Sequence, residues 1–167
     1  MILFLSCLLF GCYHIIKKFP YNYLYLSLFT IIMTYILGIV GVFVNTQTLL
    51  LSGLTTTSMF SGLTIYAYQT KVNYTIYGNI LIILLFGLII FGLFMQFLQL
   101  AFLNTLYSVG GAILFSFYII YDTQLIAGGS SRKIVYSIDD YVIASVNLYL
   151  DIINLFLFML DIIGGRN

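Results

Sequence analysis

The stretch Ile80-Leu-Ile-Ile-Leu-Leu85 decides the fold, because it is apolar at every position. A membrane-spanning β-strand alternates apolar and polar side chains, whereas a helix that crosses a bilayer presents apolar side chains in long continuous runs. The run therefore indicates a helix. Its neighbours extend the apolar segment to residues 76–98, which exceeds the roughly 20 residues needed to cross the hydrocarbon core.

The composition of the whole chain agrees with a membrane location. Of 167 residues, 62% are hydrophobic and 7% are charged, and the mean hydropathy is +1.12. A soluble domain is about 45–50% apolar and about 25% charged, so this chain has too few charges to cover a water-facing surface. A net charge of +1 also excludes the basic patch that nucleic-acid binding requires. The chain is predicted to be an integral membrane protein whose main partner is the lipid bilayer.

Long apolar segments recur along the chain with short connections, which predicts an all-α, polytopic bundle forming a single domain over residues 1–167. About six membrane segments are expected, at residues 1–16, 22–44, 48–68, 76–98, 102–122 and 141–163. The first is short, but Lys17 and Lys18 follow the apolar run instead of preceding it, which is the wrong order for a signal peptide. A retained helix is therefore expected there.

The basic residues predict an orientation. If each segment crosses once, the connections that carry Lys17, Lys71 and Arg132 share one side, and the positive-inside rule makes that side cytoplasmic. Arg166 fits this rule only if the last segment dips into the membrane and returns. The sequence leaves crossing and re-entry open for residues 141–163.

Asp151 is an acidic residue in the middle of the last apolar segment. Ionisable residues inside a membrane are costly and by default mark an ion or proton pathway. Helical spacings of three or four place it on one small or polar face with Asp140, Ala144, Asn147 and Asn154. Asp140 also precedes the segment, where an acid suits the positive end of the helix dipole, and a purely structural role is favoured for it.

Asp122 ends the preceding segment and heads a second small and polar stripe. Counting back at helical spacing gives Tyr118, Gly111, Ser108 and Asn104. Small residues let helices approach closely and polar ones pair across the contact, so the two stripes are expected to face each other. Asp122 and Asp151 are then close together.

Two carboxyl groups in a poorly hydrated site cannot both ionise easily, so the pair is expected to titrate as a unit and to hold one proton. Protonation would close the pair, and deprotonation would open it or admit a hard cation such as Ca²⁺, which prefers oxygen ligands. This predicts a pH-gated cation pathway with transient Ca²⁺ binding. The alternative at this stage is structural, with each Asp accepting hydrogen bonds from Tyr118 or Asn147 and holding the bundle together.

Enzymatic chemistry has little support in the sequence. His14 is the only histidine, and Cys7 and Cys12 lie within an apolar segment without the spacing of metal ligands. The Ser and Thr residues have no general base beside them. No enzyme activity and no cofactor are predicted.

Two long stretches of the C-terminal third contain Tyr121-Asp-Thr-Gln-Leu125 and Asn147-Leu-Tyr-Leu-Asp-Ile-Ile-Asn-Leu-Phe156. These stretches resemble the signature of the Bax-inhibitor/Lifeguard family. Earlier parts of the family pattern are matched, in the same order, by Phe19-Pro-Tyr-Asn22 and Leu63-Thr-Ile-Tyr-Ala-Tyr-Gln-Thr-Lys71. The Lifeguard branch is the closer likeness, because Met33 stands where the Golgi branch carries an acid.

The resemblance implies a helical bundle around a central C-terminal helix that acts as a Ca²⁺ leak and inhibits apoptosis. The implied location is an intracellular membrane, the endoplasmic reticulum or Golgi, or else the plasma membrane. The family's two-aspartate pH sensor falls on Asp122 and Asp151, so Ca²⁺ and protons are the implied ligands. Bcl-2-type or death-receptor-pathway membrane proteins are the implied protein partners.

Family members usually carry another helix before the region that matches residues 1–19, so the resemblance describes this chain as N-terminally shortened. Two alternatives to the leak function therefore stand beside it. One is an anti-apoptotic interaction protein that conducts nothing and does not need the carboxyl pair. The other is an inactive shortened copy, which would assemble poorly and be degraded.

Overall fold

The computed structural model describes residues 20–98, 100–128, 136 and 140–165. This part of the chain contains five α-helices and one short 3₁₀ helix, and it contains no strand, which confirms the all-α prediction. The elements are α1 (Tyr21–Val42), α2 (Thr46–Gln69), the 3₁₀ helix (Tyr74–Tyr77), α3 (Gly78–Leu98), α4 (Ala101–Ala127) and α5 (Tyr141–Gly164). The predicted segment 1–16 lies outside the described residues.

Four stretches in this part are long and apolar enough to cross a membrane: α1, the 3₁₀ helix together with most of α3, α4 and α5. The predicted count of about six segments is therefore not confirmed. The predicted segment 48–68 does form a helix, α2, but its many hydroxyl side chains keep it out of this set. Hydroxyls such as Ser52, Thr56 and Thr57 bond the carbonyl four residues back, which satisfies them within the helix.

The last helix, α5, is continuous over 24 residues, about 36 Å at 1.5 Å per residue. A segment that enters the membrane and returns needs a break at which the chain reverses, and α5 has none between Tyr141 and Gly164. Its geometry therefore favours a full crossing over re-entry. Its first residue is held by Asn22 of α1, whose Nδ2 donates to the Tyr141 hydroxyl at 2.5 Å.

The interior of the bundle is shared by α4 and α5, which pack against each other in antiparallel orientation. α2 packs on both of them, α3 packs on α4, and α1 contacts the outer side of α5. One apolar cluster joins α1 to α5 around Phe29, Met33 and Val146. A second joins α4 to α5 around Phe115, Ile119 and Leu155. The outward faces of α1 and α3 are apolar and exposed, as a lipid-facing surface requires.

A glycine sets the distance between the two interior helices. A Cβ atom at Gly111 of α4 would lie 2.4 Å from the ring of Phe158 on α5. That ring is itself fixed, because it stacks on Phe115 and meets Tyr107 edge-on. Only a residue without a side chain allows this approach, and the approach in turn brings the polar stripes of α4 and α5 together.

Candidate functional site

Asp122 of α4 and Asp151 of α5 meet between the two interior helices. Both are buried, with 4% and 6% of their surfaces exposed. The two side chains lie close enough for their carboxyl groups to interact. Two ionised carboxylates this close and this buried would repel each other, so the arrangement favours a pair that holds one proton.

Two buried oxygen atoms at the pair lack a hydrogen-bond partner among the described residues. They are Oδ2 of Asp151 and the hydroxyl of Tyr118, which lies one turn before Asp122 and within electrostatic range of both carboxyl groups. A buried polar group without a partner is costly, and such groups in native proteins call for an explanation such as an ion or a proton-linked role. The site therefore contains two buried oxygen atoms whose hydrogen-bonding capacity is not used by the described residues.

Tyr136 covers this end of the helix pair. Its backbone N–H donates to the Leu125 carbonyl at 3.1 Å, and its hydroxyl accepts from Asn147 Nδ2 at 2.7 Å. Burial, followed by the negative charge of Asp122, raises the pKa of Tyr136 above its ordinary value. The hydroxyl therefore stays protonated at neutral pH, and Asn147 contacts this tyrosine instead of a carboxyl group.

Gln124 was quoted from the sequence only as part of a motif, and the structure gives it a role. It is fully buried in α4 and reaches the connection between α2 and the 3₁₀ helix. Its Oε1 accepts from the backbone N–H of Tyr74 at 2.8 Å, and its Nε2 donates to the carbonyls of Val72 at 3.0 Å and Ala67 at 3.4 Å. The signal available in the sequence was a polar residue two positions after Asp122, but its partners lie 50 or more residues away.

The remaining residues predicted for the polar face are divided between the two ends of the α4–α5 contact. Asp140 occupies the N-cap position of α5, and Asn154 donates to the carbonyl of Leu150 in its own helix at 2.8 Å. Asn104 and Ser108 do face α5, but they contact Asp161 and not the Asp122–Asp151 pair. Ser108 Oγ donates to Asp161 Oδ2, and Asn104 Nδ2 approaches the same oxygen at 3.4 Å.

Asp161 was not among the residues predicted for the polar face, yet it is the residue of α5 that Asn104 and Ser108 contact. The polar stripe of α4 continues for about 21 Å from Asp122 to Ser108 at 1.5 Å per residue, so it meets a different acid at each end. Helical spacing correctly grouped the stripe, but it did not show which residue of α5 lies opposite each position.

The chemistry of the pair is limited to proton and cation binding. Within the described ranges, no three His, Cys, Asp or Glu side chains come together as a metal site. Two carboxyl groups and a phenol are hard oxygen ligands, which bind Ca²⁺ weakly when so few are present. The arrangement can take up or release a proton, and it can coordinate a passing cation through a small number of oxygens.

These observations define a class of protein: a multi-pass integral membrane protein with an acidic pair buried between its interior helices. The chain belongs to the Bax-inhibitor/Lifeguard family, because the family described as "Inhibitor of apoptosis-promoting Bax1" matches residues 1–167. This confirms the resemblance seen in the sequence.

Three curated relatives show how far the similarity extends. Protein lifeguard 3 of Homo sapiens is 33% identical over 155 residues, which cover 90% of this chain and 49% of that protein. Protein lifeguard 3 of Mus musculus is 28% identical over 155 residues, covering 90% of this chain and 50% of the relative. Protein LIFEGUARD 4 of Arabidopsis thaliana is 33% identical over 168 residues, covering 97% of this chain and 66% of the relative. The chain spans about half the length of the two mammalian relatives.

Proposed function

We propose that this chain is a pH-sensitive Ca²⁺ leak of an intracellular membrane, such as the endoplasmic reticulum or Golgi, that inhibits apoptosis by lowering the stored ion. The single observation that carries the proposal is the burial of Asp122 and Asp151 beside each other between α4 and α5. Membership of the family described as an inhibitor of apoptosis-promoting Bax1 supports the anti-apoptotic part.

The gating argument follows from the charge on the pair. With one proton shared, the two carboxyl groups attract each other and hold α4 against α5. With both ionised, two unit charges about 4 Å apart repel by about 4 kcal/mol at an effective dielectric constant of 20. That repulsion is relieved if the helices separate or if a cation enters between the carboxylates, and either change opens a path for Ca²⁺.

The sign of the pH dependence follows from the same argument. Low pH favours the shared proton and the closed contact, and high pH favours the doubly ionised pair. Flux is therefore expected to rise as the pH on the side that reaches the pair rises. Tyr136 does not contribute to this dependence, because its raised pKa keeps it protonated throughout the range.

The experiment is Ca²⁺ flux through the purified protein in liposomes between pH 6 and 8. Wild type is compared with Asp122→Asn and Asp151→Asn, which keep the shape of the side chain and remove its titration. We expect wild-type flux to increase with pH and both variants to lose that dependence. Asp161→Asn removes the same charge ten residues further along α5, so it is the matched control for the shape of the pH profile.

Two results would contradict the proposal. If folded wild-type protein conducts no Ca²⁺ at any pH, the leak function fails for this chain. If cells expressing the double variant of Asp122 and Asp151 resist apoptosis as well as cells expressing wild type, protection does not depend on the pair. The interaction-protein alternative would then account for the anti-apoptotic role.

A further inference from the structure

Tyr118 of α4 carries a buried hydroxyl that the proposed gate does not use. The residue as a whole is half-buried and packs against the apolar cluster shared by α4 and α5. Its hydroxyl oxygen is buried and has no hydrogen-bond partner among the described residues. Leaving a buried donor unpaired costs free energy, so the position of this hydroxyl beside the acidic pair calls for a reason.

The ring of Tyr118 is flanked by two aromatic neighbours in its own helix. Its centroid lies 5.8 Å from that of Phe115 and 6.5 Å from that of Tyr121. With the ring packed in this way, the freedom that remains is rotation of the O–H bond, whose hydrogen turns to suit an acceptor. Little conformational entropy is therefore lost when this hydroxyl donates a hydrogen bond.

The second unpartnered oxygen of the site is a matching acceptor. Asp151 Oδ2 is buried and also lacks a hydrogen-bond partner among the described residues. The charges of Asp151 and Asp122 both act on Tyr118, and that of Asp151 acts more strongly, although Asp122 is one turn away in the same helix. The hydroxyl is thus near the carboxyl group that α5 contributes. A phenol donates a hydrogen bond and an ionised carboxylate accepts one, so the two groups are complementary.

Other polar groups around the pair on α4, α5 and their connection are engaged or distant. Tyr136 enters from the connection before α5, and its hydroxyl accepts from Asn147. The Tyr121 hydroxyl lies against Gly78, where α3 begins. The other acids of α5 lie near its two ends: Asp140 and Asp161.

The other elements packed against α4 bring no further charge to this position. α2 and α3 carry no Asp, Glu, Lys, Arg or His, and Lys71 is exposed in the connection after α2. On α5, Tyr149 contacts Phe29 of α1 edge-on. The tyrosines of α2 and of the 3₁₀ helix are exposed or half-buried: Tyr66, Tyr68, Tyr74 and Tyr77. Within the described residues, Tyr118 is therefore a free donor that responds to both carboxyl groups.

We propose that the Tyr118 hydroxyl donates a hydrogen bond to Asp151 Oδ2 once the Asp122–Asp151 pair has lost its proton, and so sets the pH at which the gate opens. Hydrogen bonds to ionised groups are stronger than those between neutral groups, so the bond forms when the charge on the pair increases. It stabilises the ionised pair relative to the protonated one. The effect on Ca²⁺ flux rests on the proposed function, whereas the hydrogen bond itself does not.

A pH titration of the full chain in liposomes, followed by the infrared absorption of protonated carboxyl groups, measures the state of the pair directly. The component that belongs to the pair is the one missing from the double variant Asp122→Asn with Asp151→Asn. In Tyr118→Phe, which removes only the hydroxyl, we expect this component to disappear at a pH about one unit higher than in wild type. The direction follows because the ionised form has lost a donor.

Tyr107→Phe is the matched control for this titration. Tyr107 is also a half-buried tyrosine of α4, and its ring also contacts two aromatic rings, those of Phe91 and Phe158. Its hydroxyl lies against Gly92 of α3, eleven residues before Tyr118 along α4. Tyr107→Phe should therefore leave the titration of the pair as in wild type.

Thermal unfolding separates this role from simple structural support. The hydroxyl has no partner beside the protonated pair, so at pH 6 the Tm of Tyr118→Phe should be at least as high as that of wild type. At pH 8 the donor stabilises the ionised pair, and the variant should unfold at a lower temperature than wild type. A decrease in Tm of the same size at both pH values would show a structural hydrogen bond and overturn the inference.

The flux assay then distinguishes this inference from the proposed function. Tyr118→Phe should keep the pH dependence of flux with its midpoint moved to higher pH, whereas Asp122→Asn and Asp151→Asn should lose that dependence. Infrared titrations that coincide for wild type and Tyr118→Phe would overturn the inference, whatever the flux. An infrared shift in a folded protein that conducts no Ca²⁺ would refute the leak and support the hydrogen bond.

Discussion

Replacing Gln124 with Ala tests whether the buried side chain of α4 holds the connection between α2 and the 3₁₀ helix in place. The substitution removes the acceptor of the Tyr74 backbone N–H and the donor to the Val72 carbonyl. It also leaves a space where a fully buried side chain had been. Both effects are local to the end of the bundle that holds the Asp122–Asp151 pair, and Gln124 is two residues from Asp122.

The expected loss of stability follows from these contacts one at a time. The Tyr74 N–H is half-buried and loses its partner, which costs about 1–3 kcal/mol. Val72 is exposed, so water can hydrogen-bond its carbonyl in place of Gln124 and the net loss there is small. The space left by the side chain adds about 1 kcal/mol or more, depending on how far the surroundings relax. The free energy of unfolding is therefore expected to fall by about 2–4 kcal/mol.

Thermal unfolding of the purified protein in detergent measures this loss. At about 2–4 °C per kcal/mol for a chain of this size, the expected decrease in Tm is on the order of 10 °C. Gln69→Ala is the matched control, since it makes the same chemical change at the exposed end of α2 and should alter stability by less than about 0.5 kcal/mol. Amide hydrogen exchange at residues 70–74 should rise in Gln124→Ala and not in Gln69→Ala. A Tm equal to that of wild type, with unchanged exchange, would refute the role assigned to Gln124.

Two other substitutions test the contacts that assemble the α4–α5 interface. Gly111→Ala should destabilise the protein by about 1–3 kcal/mol, because the new methyl group would overlap the aromatic ring that α5 packs against it. Gly110→Ala, which meets nothing within 4 Å, should not, and equal Tm values for the two variants would show that the helices do not approach as described. Tyr136→Phe should cost about 1 kcal/mol through loss of the hydrogen bond from Asn147. The exposed Tyr35→Phe is its control, and a thermal scan in which both variants match wild type would remove Tyr136 from the site.

Much of the site could be predicted because an acid inside an apolar helix has few acceptable surroundings. Asp122 and Asp151 were recognised from hydropathy alone, and helical periodicity then placed each on a polar stripe that needs a partner. The two stripes did not determine the register of α4 against α5. Asn104 and Ser108 were expected to support the pair, and the antiparallel packing of α4 on α5 instead puts them against Asp161.

Gln124 and Tyr136 could not be assigned from the sequence for a related reason. Gln124 contacts backbone groups of Val72 and Tyr74, and any residue type can supply a backbone group. The structural alternative had Asn147 bonding an aspartate, and its partner is the Tyr136 hydroxyl from the connection before α5. Contacts of this kind depend on where loops cross the helix ends, which no periodic pattern encodes.

The sequence by itself determined that the chain is a helical membrane protein of the Bax-inhibitor/Lifeguard family with two acids placed inside apolar segments. A chain with so many apolar side chains and so few charges cannot cover itself with a water-facing surface. Its continuous apolar runs can cross a membrane only as helices, which satisfy their own backbone hydrogen bonds. The tertiary structure decided which acids meet. The close approach at Gly111 sets the distance and register of α4 on α5, and that register joins Asp122 to Asp151 at one end and Ser108 to Asp161 at the other.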